Sequence, residues 1–133
     1  MNLYFAHSME VYGTSESVRA RKRMRKFWPG YKIVDPERLD WKALEAKHGV
    51  DGVYVYVIKK SDVVVVLEYD DMIGKGVFTE VKEALLRRKP VYVLRGNKFY
   101  AVKSIKYVGI NWIFYGKLDK IKTLGRRDCL PRA

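Results

Sequence analysis

The chain has 133 residues, nearly half of them apolar, with 27 basic side chains against 15 acidic ones and a formal charge of +12. That length is one domain's worth, the apolar share excludes a disordered chain, and no apolar run nears the ~20 residues a membrane span needs. Residues 2–6 are too short an apolar stretch for a signal peptide, so the cytoplasm is the expected location.

In chain order, residues 2–6 read as a short buried strand ending at His7 and Ser8. Thr14 and Ser15 can each cap a helix, and Glu16 lies in its first turn, where the helix dipole favours a negative charge. Ala20, Met24, Phe27 and Trp28 then recur at helical spacing, with basic residues around the rest of the circumference. Pro29 and Gly30 stop that helix. Residues 31–34 read as a second strand closed by Asp35 and Pro36, and residues 39–48 as a shorter helix.

Residues 53–58 alternate Val and Tyr, which fits a strand or a buried helical turn equally. Residues 63–68 are the clearest strand, because successive β-branched residues imply burial on both faces and a central parallel position. A loop over residues 69–76 leads to a helix reaching about Arg88, with Val77, Val81, Ala84 and Leu85 as its apolar stripe. Residues 91–94 form the next buried strand. Three short segments, 99–102, 107–108 and 112–115, are expected to complete the sheet. The pattern predicts one three-layer α/β domain over residues 1–115, with a mostly parallel five-stranded sheet covered on both sides, and a basic tail over 116–133.

The single cysteine, Cys129, cannot form a disulfide within the chain, and His7 and His48 are too few to complete a four-ligand zinc site with it. Neither a metal nor another cofactor is expected. The positive charge favours anionic partners. Its densest run, residues 19–26, is most simply a solvated helix face, since no known nucleic-acid-binding motif accompanies it. Nucleic acid is therefore a secondary partner at most.

Ligands of open α/β sheets bind beyond the carboxyl ends of the strands, where strand order reverses. His7, Ser8 and Met9 follow the first strand there, and residues 68–76 follow the third. Gly74 and Gly76 allow close backbone approach, and Glu80 follows within about the first helical turn. A carboxylate so placed can attack an electrophilic sugar carbon, with Asp70 or Asp71 assisting the leaving group. On spacing alone, a solvated helix position is the simpler reading of Glu80. His7 reads equally as a phosphate or base contact and as a half-buried histidine bonded to backbone.

Tyr4 through Met9, the strand over residues 61–67, and Gly76 through Glu80 followed by Ala84, Leu85, Lys89, Pro90 and Val91 stand in an order and spacing that resembles the nucleoside 2-deoxyribosyltransferase family and its nucleotide N-glycosidase relatives. The likeness covers roughly the first 95 residues. It implies a small flavodoxin-like domain and cleavage or transfer at the N-glycosidic bond of a nucleoside or its 5′-monophosphate, through Glu80 as nucleophile and a glycosyl-enzyme ester. On that pattern Tyr4 orients Glu80, and Ser8 and the loop through Thr14 hold the 5′ end of the sugar. Asp70 or Asp71 addresses sugar or base, and two or more copies of the chain pair to complete their pockets. The chain departs from the pattern at Lys82, at Gly74, and at His7, where a smaller residue is common. The other reading is a non-catalytic module of the same fold that binds nucleotide or nucleic acid.

Overall fold

The computed structural model describes residues 1–68, 73–107 and 112–114, with residues 106–107 and 112–114 described by backbone alone. Eight strands are present in these segments: β1 (Asn2–His7), β2 (Lys32–Val34), β3 (Val63–Leu67), β4 (Ile73–Gly74), β5 (Val91–Arg95), β6 (Lys98–Ala101), β7 (Lys106–Tyr107) and β8 (Trp112–Phe114). Four helices accompany them: α1 (Ser15–Phe27), α2 (Trp41–His48), α3 (Val50–Lys59) and α4 (Lys75–Leu86). The main sheet runs β2-β1-β3-β5-β6. Its first four strands are parallel, and β6 returns antiparallel to β5 after a two-residue turn opening on Gly96 at φ 61°. This is the mostly parallel, five-stranded, three-layer arrangement that the sequence pattern predicts, of the flavodoxin-like kind that the resemblance implies.

Alternation along the strands divides the core in two, because successive side chains leave a strand on opposite faces. Leu3, Phe5, Val63, Val65, Tyr92 and Leu94 pack beneath α1 against Ala20, Met24 and Trp28. Tyr4, Ala6, Val64, Val66 and Val93 face α3 and α4 through Val53, Val57, Ile58, Val77, Val81 and Ala84. The valine run of β3 is buried on both faces, as its composition predicts. The chain passes from β1 outward to β2, then crosses to β3 on the other side of β1. Strand order therefore reverses between β1 and β3, and the carboxyl ends of these two strands define the crevice.

Several elements differ from the sequence reading. Residues 53–58 belong to α3, where Val53 and Val57 make an i, i+4 stripe. The 36–38 segment is a single 3-10 turn, so α2 starts at Trp41 rather than at residue 39, capped by Asp40, whose carboxylate accepts from the Ala43 amide at 3.1 Å. Helix α4 begins at Lys75 and takes in Gly76, which moves Glu80 from the first turn to the second. Only β6 extends the main sheet, whereas β8 pairs with β4 and β7 in a separate three-stranded sheet. Asp70, Asp71, Tyr115 and the tail over residues 116–133 lie outside the described residues. Among the described residues no helix is long and apolar enough to cross a membrane.

Candidate active site

Glu80 is inside because of its helical register. It falls three residues after Val77 and four before Ala84, on the stripe that α4 turns toward the sheet. Tyr4 leaves β1 on that same face, and its hydroxyl donates a hydrogen bond to Glu80 Oε2. Glu80 as a whole keeps 4 % exposure, and no cation among the described residues pairs with its carboxyl group. Burial disfavours the charged form and pushes Glu80 up to about 8, against the smaller opposing effect of the Tyr4 bond. The Tyr4 hydroxyl is itself held well above the usual phenol range, first by burial and then by the Glu80 charge.

Two further tyrosines feel the charge of this carboxyl. Tyr12, on the loop after β1, is pushed up to about 12 by burial, then by the charges of Glu80 and Glu37. Tyr54, half-buried on α3, is raised by burial and next by Glu80. The start of α4 approaches Tyr54 so closely that a Cβ on Gly76 would meet its hydroxyl at 3.3 Å. A Cβ on Gly74 would stand 3.7 Å from that of Ser8, so the β1 loop and the entry to α4 are neighbours. Tyr4 and Ser8, Tyr54, and Gly74, Gly76 and Glu80 are thus gathered from three distant segments.

The remaining sequence candidates are placed differently. His7 shares its strand face with Phe5, opposite to Tyr4, and stacks on the Phe5 ring at 3.9 Å. Its Nδ1 lies 3.0 Å from the Phe5 carbonyl and its Nε2 2.7 Å from Glu37 Oε2, so both nitrogens are engaged within the chain. Thr14 caps α1, accepting from the Ser17 amide at 3.3 Å and donating to the Val11 carbonyl at 2.7 Å. Met9 projects into solvent with 78 % exposure. The candidate leaving-group residues Asp70 and Asp71 fall outside the described segments.

Under α1, on the His7 face, lies a second polar cluster. Arg21 donates from Nε to Asp35 at 2.6 Å and from a terminal nitrogen to Glu37. Glu37 also accepts from the Gly13 amide at 2.8 Å, which ties down the loop carrying Tyr12. Burial alone would raise Asp35 and Glu37. The Arg21, His7 and backbone bonds outweigh it and hold both carboxyls below their ordinary range. His7, Asp35 and Glu37 bring potential metal-ligand atoms within 4.8 Å of one another, but Arg21 already bonds both carboxylates and supplies the positive charge.

Sequence reasoning missed Tyr12, Tyr54 and Glu37. Tyr54 was within reach, because it follows Val53 on the helical alternative for residues 53–58. Glu37 carries no local signal; only the fold brings it to Gly13 and Arg21. Glu68, at the end of β3, is held by a bidentate bond from Arg95 at 2.6 and 2.8 Å and is removed from the crevice chemistry. Compared with protein families, curated proteins and solved structures, the chain matches none of them.

Proposed function

We propose that the protein breaks the N-glycosidic bond of a nucleoside, deoxynucleoside or nucleoside 5′-monophosphate, passing the sugar to water or to a second base. One observation carries this reading. A buried carboxyl, with no cationic partner among the described residues and bonded by a tyrosine hydroxyl, packs over β1, one of the two strands between which the order of a parallel sheet reverses. Structural carboxylates are normally neutralised by a cation, as Asp35 and Glu37 are, whereas groups left to an adverse burial concentrate at functional sites. The likeness of the sequence to the nucleoside 2-deoxyribosyltransferase pattern adds support.

In the proposed step, ionised Glu80 attacks C1′ and forms a C–O ester bond. The C1′–N bond breaks with its electron pair moving onto the base, which takes a proton from Asp70 or Asp71. Water or a second base then displaces the ester, and Glu80 is restored. Tyr4 holds the attacking carboxylate, and the rings of Tyr12 and Tyr54 present flat surfaces to sugar or base. A cytoplasmic location and pairing of two or more copies go with a nucleotide substrate on this pattern.

The non-catalytic reading rests on the same carboxyl, because burial holds it protonated at neutral pH and a carboxylic acid is a poor nucleophile. Incubation with a panel of nucleosides and 5′-monophosphates, read as free base by chromatography, separates the two. Catalysis predicts base release that disappears in Glu80→Gln. Binding without any release of base supports the module and removes the enzyme.

A further inference from the structure

We infer that the outer face of α1 and the groove beside it form a second, non-catalytic site for single-stranded nucleic acid, with a base stacked on Tyr31 and phosphates on the cations around it. Apart from the glycosidic site, α1 carries the strongest charge of the described surface. Lys22, Arg25, Lys26 and, across the groove, Arg38 are exposed and pair with no described carboxylate. Arg21 is not available, because Asp35 and Glu37 consume its charge.

The helix is flanked by two depressions. One, of about 470 Å³, lies between its C-terminal half, the Pro29 and Gly30 turn and the edge strand β2, and is lined by Arg25, Arg38, Tyr31 and Trp28. Trp28 also carries a buried indole N–H without a hydrogen-bond partner among the described residues. The other, about 540 Å³, follows the N-terminal half and is lined by Thr14, Ser15, Arg19 and Lys22. Lys22 and Arg25 are one turn apart, so the cations run as a line between the two depressions. The nearest acids do not cancel this field: Asp35 and Glu37 hold Arg21, and Asp62, near Tyr31, accepts from the Asn2 amide at 2.7 Å.

The ring decides the class of partner. An acidic peptide would pair with the guanidinium groups yet gain nothing from Tyr31. A base would stack there while its neighbouring phosphates meet Arg25 and Arg38. Duplex DNA keeps its bases stacked inside and cannot use the ring. A membrane surface is disfavoured because the apolar stripe of α1, Ala20, Met24 and Trp28, is spent against the sheet.

The test is fluorescence anisotropy with a labelled 15-nucleotide deoxythymidine single strand on the full chain, against a matched duplex, polyglutamate and anionic vesicles. Four phosphate contacts imply a log–log salt slope near −3, so affinity should fall about 50-fold between 50 and 200 mM salt. Arg25→Gln with Arg38→Gln should flatten that slope by about half. Tyr31→Leu, which keeps an apolar body in place, should weaken binding about 10-fold at unchanged slope. Glu80→Gln should leave oligonucleotide affinity unaltered, which separates this site from the glycosidic one. Equal affinity for polyglutamate or vesicles, or a Tyr31→Leu protein that binds as tightly as the parent, would overturn the proposal.

Discussion

Two carboxylate sites lie on opposite faces of the sheet, meeting β1 at Tyr4 and His7, three residues apart, and they solve the cost of burial in opposite ways. On the α1 face, Asp35 and Glu37 share Arg21, and their carboxyls stay ionised below the ordinary range. On the α4 face, Glu80 receives one phenolic hydrogen bond and no cation, and burial lifts it to about 8. The first arrangement fastens the β1 loop through the Gly13 amide and stabilises the fold. The second withholds the neutralisation that stability would favour, which the role proposed for Glu80 would account for.

Opposite pH behaviour follows. A carboxyl raised in the folded state favours folding most below its unfolded value near 4.5, and that advantage is lost as pH climbs to about 8. The largest expected effect is therefore at Glu80. Glu80→Gln should lower base release by about 10³-fold or more. The same variant should match the parent in stability near pH 4.5. It should then gain on the parent by roughly 1.4 kcal/mol per pH unit, reaching on the order of 4 kcal/mol at pH 8. Urea titrations across pH read this directly, and a variant less stable at pH 8 would erase the contrast between the two faces.

Arg21→Met strikes the other face. It leaves buried Asp35 and half-buried Glu37 without their cation and should cost about 3–5 kcal/mol at pH 7. Asp35 and Glu37 have depressed folded values, so their contribution is present above the unfolded value and fades in acid. The penalty of Arg21→Met should accordingly shrink below about pH 4. A penalty that is constant with pH would mean that packing against the Phe5 ring, 5.5 Å from the guanidinium carbon, carries the effect instead.

The smallest of the three effects is at Tyr4. Tyr4→Phe should cost about 1 kcal/mol, one buried hydrogen bond, while preserving the ring in its core position. The Tyr4 bond lowers Glu80, so its loss should move the alkaline rise of kcat/KM to higher pH. An unshifted profile would separate Tyr4 from the reacting carboxyl.

Much of this frame was legible in the residues. The four valines of β3, the α1 stripe with its Thr14 cap and the α4 stripe of Val77, Val81 and Ala84 follow from periodicity and local capping, which act within a few residues. Glu80 could be singled out but not judged buried, because adjacent positions on a helix face differ only by tertiary context. His7 illustrates the limit best. Its strand-end position invites a ligand, yet the parity of β1 sends it to the Phe5 face, where Glu37, thirty residues later, meets it. Contacts of that separation leave no local trace.

The most direct test is whether sugar becomes bonded to Glu80. Turnover of a deoxynucleoside 5′-monophosphate, quenched in acid and followed by peptide mass spectrometry, should show the peptide containing Glu80 heavier by one deoxyribose phosphate unit and no such peptide in Glu80→Gln. Base release accompanied by an adduct on another residue, or undiminished in Glu80→Gln, would contradict the account.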